Sequence, residues 1–275
     1  MRIDAHQHFW VYSPHEYGWI DESMGILRRD FLPGDLKPEL DCAGFEGCVA
    51  VQARQTVEET KWLLKLAAES SFILGVVGWV DLRSPFLRSE LQILAQDSKL
   101  VGVRHIVQSE PDDQFLLRPD FLRGVSVLEE FDLAYDILIY TKHLPVAAQF
   151  VQRFPRQRFV LDHLAKPPIK DGTLSRWSQG IRDLAAFPNV FCKLSGLVTE
   201  AHWQNWKPED LVPYVDVALE CFGPDRLMIG SDWPVCTVAA PYSRVVEAVK
   251  LCLGPLTDEE GEKVLGANAQ QFYKL

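Results

Sequence analysis

Eight short, nearly continuous apolar runs recur along this chain, at residues 2–8, 46–53, 72–80, 101–108, 134–140, 158–164, 189–197 and 226–234. Most lack the polar/apolar alternation of a half-solvated strand, so they predict strands buried on both faces. Segments of helical pattern fall between nearly all of them. Thr56-Val57-Glu58-Glu59 reads as a capping box opening a helix to about residue 70, and Ser84-Pro85 as a cap with proline at the first helical position, opening a helix to about 97. Further helices are predicted near 120–130, 144–154, 174–187, 208–222, 241–253 and 258–273. Residues 9–36 carry Trp10, Tyr12, Tyr17, Trp19 and Phe31 among Pro, Gly and charges, and read as a long loop. Loops of that length are uncommon in compact domains unless they cover a site. Eight strands alternating with helices predict an α/β fold, a single parallel (β/α)8 barrel spanning residues 1–275. A doubly wound open sheet is the competing topology. It would usually place a Gly-rich loop after the first strand, where this chain has His6-Gln7-His8-Phe9-Trp10.

Composition narrows the function. At 275 residues and 47% hydrophobic content the chain can bury one large core. A net charge of −10 argues against nucleic acid and anionic membrane partners. The longest nearly uninterrupted apolar run, 72–80, is too short to span a bilayer, and a first strand at residue 2 leaves no room for a signal peptide. Six cysteines without a Cys-x-x-Cys pair fit buried reduced thiols in a cytoplasmic protein. No oligomeric state is legible.

In barrel enzymes the site lies at the C-terminal ends of the strands. Those ends hold His6 and His8, Gln52, Trp79 and Asp81, Arg104-His105, Asp162-His163 with Lys166 beyond, Lys193 and Ser195, and Ser231-Asp232-Trp233. Polar groups inside apolar strands are costly unless partnered, and the strand starts hold few. Strand periodicity places His6, His8 and Asp4 on one side. A lone His-x-His serves as well as a core feature as it does as a ligand pair. Arg104 and His105 have opposite parity, so one faces the axis and the other serves the helix layer. For Asp162 and His163 we expect His163 inward, with Asp162 orienting another group from behind. Asp232 shares parity with Met228 and Gly230, which suits an inward carboxylate, although it could instead cap a following turn. Lys166 and Lys193 could simply extend to solvent.

These residues carry a family resemblance. His6-Gln7-His8-Phe9-Trp10, Gly102-Val103-Arg104-His105, Asp162-His163-Leu164-Ala165-Lys166-Pro167 and Gly230-Ser231-Asp232-Trp233-Pro234 resemble the amidohydrolase superfamily, in particular its sugar-lactonase branch. That branch includes fuconolactonase-like, rhamnonolactonase-like and 2-pyrone-4,6-dicarboxylate lactonase enzymes. The resemblance implies a barrel in which His6, His8, His163 and Asp232 surround a reacting carbonyl. It also implies a departure from two-metal members, because Arg104-His105 stands where they use a carbamylated lysine. A single Zn²⁺ on His6, His8, His163 and Asp232 is chemically acceptable. Branch members can nevertheless work without a metal, and Arg104 suits that.

The expected chemistry is hydrolysis of a sugar lactone. Asp232 activates water, its pKa somewhat raised by an apolar pocket, and His163 polarises the carbonyl with His6, His8 and Arg104. Gln52, Trp79, Lys166 and Trp233 are candidate substrate contacts. The rival readings are a zinc-dependent decarboxylase, a zinc-dependent C–N hydrolase and a non-enzymatic binding protein on the same barrel.

Overall fold

A computed structural model describes residues 1–275 and places eight parallel strands in sequential order around a barrel. They are β1 (Ile3–Gln7), β2 (Gly47–Val51), β3 (Ile73–Gly78), β4 (Leu100–Ile106), β5 (Ala134–Leu138), β6 (Phe159–Leu161), β7 (Val190–Leu194) and β8 (Leu227–Ile229). Closure between β8 and β1 is made just beyond the strands. The His8 N–H donates to the Trp233 carbonyl at 2.7 Å and the Asp232 N–H to the His6 carbonyl at 2.8 Å. These two bonds tie the residues bearing the histidines to the residue bearing the aspartate.

The expected helices surround the sheet as α2 (Val57–Glu69), α3 (Leu87–Leu94), α4 (Pro119–Leu128), α5 (Leu144–Gln152), α6 (Ser175–Ala185), α7 (Pro208–Phe222) and α8 (Tyr242–Cys252). The last predicted helix is split into α9 (Asp258–Glu262) and α10 (Asn268–Tyr273) by a π-helical segment at Lys263–Ala267. Some details differ from expectation. Residues 84–86 form a turn in which Ser84 Oγ accepts from the Phe86 N–H, so α3 starts two residues late. β6 ends at Leu161, because the next residues take a left-handed path. An additional helix, α1 (Pro33–Ala43), follows the aromatic loop. Its Pro33-Gly34 and Pro38 read as turn signals, yet Pro33 opens the helix and the Asp35 carboxylate accepts from the Leu32 N–H at 2.9 Å.

The barrel axis is packed by side chains from seven strands. Ile3, Ala5, Val49, Val51, Val77, Val101, Ala134, Val160 and Met228 form one buried cluster, joined by Ala269, Phe272 and Tyr273 of α10. Residues from so many strands meet only inside a barrel, and they fill its N-terminal half. Polar side chains therefore collect at the other end. The helices pack on the outside through a separate, larger apolar cluster. No helix is long and apolar enough to cross a membrane.

Candidate active site

The β1 histidines reach the mouth through an irregularity. Ile3 and Ala5 point to the axis, and the register with β2 shifts between Asp4 and Gln7. That shift turns His6 and His8 inward and leaves Asp4 outside, correcting the simple parity reading that put all three on one side. Asp4 instead accepts from Ser231 Oγ at 2.6 Å and Tyr242 Oη at 3.0 Å, which pins the start of β8's extension to β1 and α8.

After β6 the chain takes four consecutive left-handed residues, His163, Leu164, Ala165 and Lys166, with φ between 50° and 57°. Each costs an L-residue roughly 1–2 kcal/mol. The turn is held by Trp177 Nε1 donating to the Leu164 carbonyl at 2.7 Å, by Thr141 Oγ1 donating to the Lys166 carbonyl at 3.1 Å, and by the Lys166 N–H donating to the His163 carbonyl at 2.7 Å. It removes the parity conflict between Asp162 and His163, so both reach the interior. Behind His163, Gly196 has φ +64°, and a Cβ there would stand 2.7 Å from the imidazole Nδ1. The backbone therefore needs glycine twice over at that position.

Four atoms converge at the mouth. His6 Nε2 and His8 Nε2 are 3.2 Å apart, and Asp232 Oδ1 lies 3.8 Å from the first, 3.3 Å from the second and 3.9 Å from His163 Nε2. His8 Nδ1 is 2.8 Å from the Val51 carbonyl, which can only accept, so Nδ1 carries a proton and Nε2 is turned to the mouth. Arg104 Nη1 is 3.3 Å from His6 Nε2, and His6 Nδ1 is 3.3 Å from Asp162 Oδ1. Asp232 Oδ1 is buried with no hydrogen-bond partner. Two imidazole nitrogens and an unpartnered carboxylate oxygen around one point fit a cation. Tetrahedral zinc with bonds of about 2.0–2.1 Å has ligand–ligand edges of about 3.3 Å, close to the separations here.

The charges beneath the mouth are balanced within the barrel. Arg104 Nη1 donates to Asp162 Oδ2 at 2.9 Å, and its Nη2 to both the backbone and side-chain oxygens of Gln52. Lys193 Nζ bridges Asp136 Oδ2 at 2.5 Å and Asp162 Oδ1 at 3.0 Å and approaches His6 Nδ1 at 3.2 Å. Tyr273 Oη of α10 donates to Asp136 at 2.7 Å. Burial alone would raise Asp162, but Lys193, His6 and Arg104 hold it well below the usual carboxylate range. Burial pushes Asp136 up to about 6 against the pull of Lys193. Burial lowers His163 to about 4 against Asp232 and Asp162, so it is neutral at physiological pH. The expected upward shift of Asp232 is not found. Burial would raise it, but His163, His8 and His6 outweigh that and hold the carboxyl below its ordinary range.

The mouth opens into a cavity of about 430 Å³ whose lining includes His8, Arg104, His163, Lys166 and Asp232, with Trp10 and Trp19 from the aromatic loop. His6 sits beneath it, fully buried. Three sequence candidates stand elsewhere. Gln52 is buried behind Arg104 and orients it. Trp79 Nε1 donates to His105 Nδ1 at 3.3 Å, outside the cavity lining. Trp233 is buried edge-on against Phe31 and Phe9 and anchors the loop. His105 belongs to the helix layer, stacked on Phe115 and paired with Glu110. Sequence reading missed Glu200, Trp203 and Gln108 in the cavity wall, and Asp136 below it. Asp136 had a signal, a carboxylate in an otherwise apolar strand. Glu200 and Trp203 lie in an aperiodic segment after β7 and had none.

Comparison with known proteins places this geometry. Residues 3–275 match the model of the amidohydrolase family Amidohydro_2. The chain is 43% identical over 286 residues to the L-fucono-1,5-lactonase of Burkholderia multivorans, covering 100% of this chain and 96% of that one. It is 40% identical over 284 residues to the L-fucono-1,5-lactonase of Burkholderia ambifaria, with the same coverage. An amidohydrolase of Burkholderia multivorans solved with bound zinc superimposes with a TM-score of 0.97 at 42% identity, covering 100% of this chain and 99% of that one. A full-length family match, near-complete relatives at 40% and 43% identity and this strand-end constellation converge, and the chain belongs to the amidohydrolase family.

Proposed function

We propose that this protein hydrolyses a sugar lactone to its hydroxy acid, with L-fucono-1,5-lactone the first substrate to test. The observation that carries the reading is full-length identity of 43% and 40% to two L-fucono-1,5-lactonases, in a chain whose mouth gathers a carboxylate, three histidines and an arginine. Asp232, ionised and with Oδ1 free, takes a proton from water as the water oxygen bonds to the lactone carbonyl carbon. His163 is neutral, and with Ser195 Oγ at 2.8 Å donating to its Nδ1, its Nε2–H faces the cavity to hold the developing oxyanion. Arg104 adds positive charge from below. Collapse breaks the ring C–O bond, and the leaving alkoxide takes the proton from Asp232.

His6, His8 and Asp232, with His163 beside them, are the residues that would hold a divalent cation. Such an ion would supply Lewis-acid polarisation of the carbonyl. Hydrolysis does not require it in this reading. Arg104 already brings a buried positive charge to within 3.3 Å of His6 Nε2, and lactones are activated esters. Six free cysteines, four of them buried, suit a reducing compartment such as the cytoplasm.

The test is a screen of purified protein against aldonolactones, following acid release with a pH indicator. The reading expects turnover of L-fucono-1,5-lactone or a close stereoisomer. Failure on every lactone, with CO2 or ammonia released from other substrates instead, would overturn it.

A further inference from the structure

Lys166 and Glu200 form an unusual pair in the cavity wall. Lys166 Nζ and Glu200 Oε1 are 3.6 Å apart, beyond a hydrogen bond, and neither side chain makes a hydrogen bond to any other group. Both are about three-quarters buried, with side chains 21% and 25% exposed. An ammonium and a carboxylate so placed keep most of their donor and acceptor capacity open toward the cavity they line. The same wall holds Gln108, whose Oε1 is buried without a partner. Unused capacity of this kind costs free energy in the empty protein and is recovered when a ligand fills it.

The backbone fixes Lys166 at this place. It is the last residue of the left-handed turn that also sets His163, so the ammonium and the catalytic imidazole are positioned by one structural unit. Its side chain lies 5.5 Å from the Tyr140 ring centre, which restricts its swing. Thr199 and Trp203 flank Glu200, and Trp203 Nε1 donates to the Thr199 carbonyl at 2.9 Å, holding that segment in shape.

We propose that Lys166 and Glu200 together recognise two adjacent hydroxyls of the substrate, with Gln108 Oε1 accepting from a third. One hydroxyl of a vicinal diol accepts from the ammonium while its neighbour donates to the carboxylate. Each bond closes at about 2.8 Å, which a gap of 3.6 Å between the two partners accommodates. A monohydroxy or hydroxyl-free lactone leaves one or both charges unpaired, so the pair selects against it. This deepens the lactonase reading and rests on it for the identity of the substrate. It assigns a polyhydroxylated acyl portion to the part of the cavity lined by residues 166 and 200.

The experiment uses Lys166→Met, Glu200→Gln and Gln108→Leu in the full chain, each checked for an unchanged melting temperature. Hydrolysis of L-fucono-1,5-lactone and of δ-valerolactone is measured alongside calorimetric binding of L-fuconate. Each charge-removing variant is expected to raise KM for the polyhydroxy lactone about tenfold while kcat changes less than about threefold. The preference for it over δ-valerolactone should fall by a similar factor, and L-fuconate binding should weaken in parallel. If both lactones lose activity equally, or if KM and binding do not move, the diol assignment is overturned while the lactonase reading stands. If wild type turns over no lactone yet binds L-fuconate in a Lys166- and Glu200-dependent way, the lactonase reading fails and the diol site stands. Absence of both turnover and binding overturns both.

Discussion

A Cβ built on Gly230 would stand 2.6 Å from the Cβ of His6. The β8 backbone thus passes directly against the deepest histidine, with room for hydrogen and nothing larger. Gly230→Ala should push His6 away from His8 and Asp232. A displacement of about 1 Å at a catalytic group can cost on the order of a hundredfold in rate. We expect kcat/KM to fall by at least that factor while the far-ultraviolet spectrum stays native. An alanine variant of near wild-type activity would show that His6 has no fixed role.

The proposed role of Asp232 in activating water predicts that its removal is felt in kcat. Asp232→Asn is expected to lower kcat by about a thousandfold or more with little change in folding stability. Steady-state kinetics on the lactone identified by screening, together with denaturant unfolding, tests this. A loss confined to KM would assign Asp232 to binding alone.

The mouth should bind a divalent ion whether or not catalysis needs one. Co²⁺ added to the chelated protein should develop visible absorption of a tetrahedral N/O site, and His8→Ala should abolish it. Prolonged chelation is expected to leave kcat/KM within about twofold, because Arg104 and His163 supply the electrostatic stabilisation. Loss of activity on chelation with recovery on Zn²⁺ would refute metal-independence and make the same side chains ligands of a required ion.

Glu59 gives a stability prediction remote from the chemistry. Its carboxylate is buried at the start of α2 and accepts from the Ala53 and Arg54 N–H groups at 3.0 and 2.7 Å. Burial nevertheless pushes it up to about 7, against the pull of those bonds and of Arg54. Its folded pKa exceeds the unfolded one, so the native state holds more protons between about pH 4.5 and 7. Stability contributed here therefore falls as pH rises through that window, by about 3 kcal/mol in all. Glu59→Gln keeps an acceptor for the two N–H groups and removes the titration. Unfolding midpoints of the variant should change less between pH 5 and 8 than those of wild type; identical slopes would rule this out.

Much of the architecture was readable because burial on both faces leaves a plain mark. The runs ending near Gln108 and Trp233 are apolar over most of their length, with polar residues gathered toward their C-terminal ends, as a barrel with a mouth arranges them. The positions of His6, His8, Arg104, His163 and Asp232 came from that pattern. What strand periodicity could not give was the local geometry that departs from it. The shift between Asp4 and Gln7 and the left-handed turn after Asp162 both reassign faces, and both depend on contacts far away in sequence. The pKa of Asp232 was misjudged for a related reason. An apolar pocket raises a carboxylic acid, but three imidazoles from β1 and the turn after β6 lie within 4 Å of this one. Glu200 was invisible because its exposure is set by the loop path of residues 198–203.

The turn at residues 163–166 has a bearing on how such a protein could be improved. Its four residues trace a backbone that D-amino acids would adopt at ease, and together they hold roughly 4–8 kcal/mol of conformational cost, comparable to the whole net stability of an ordinary domain. Glycine at Leu164 would remove a fully buried side chain and lose more than it relieves, whereas at Ala165 it would relieve part of that cost. The same glycine would let the imidazole and the ammonium at either end of the turn drift independently. The mirror-handed run of larger residues fixes where His163 and Lys166 stand relative to one another, at a cost in conformational energy.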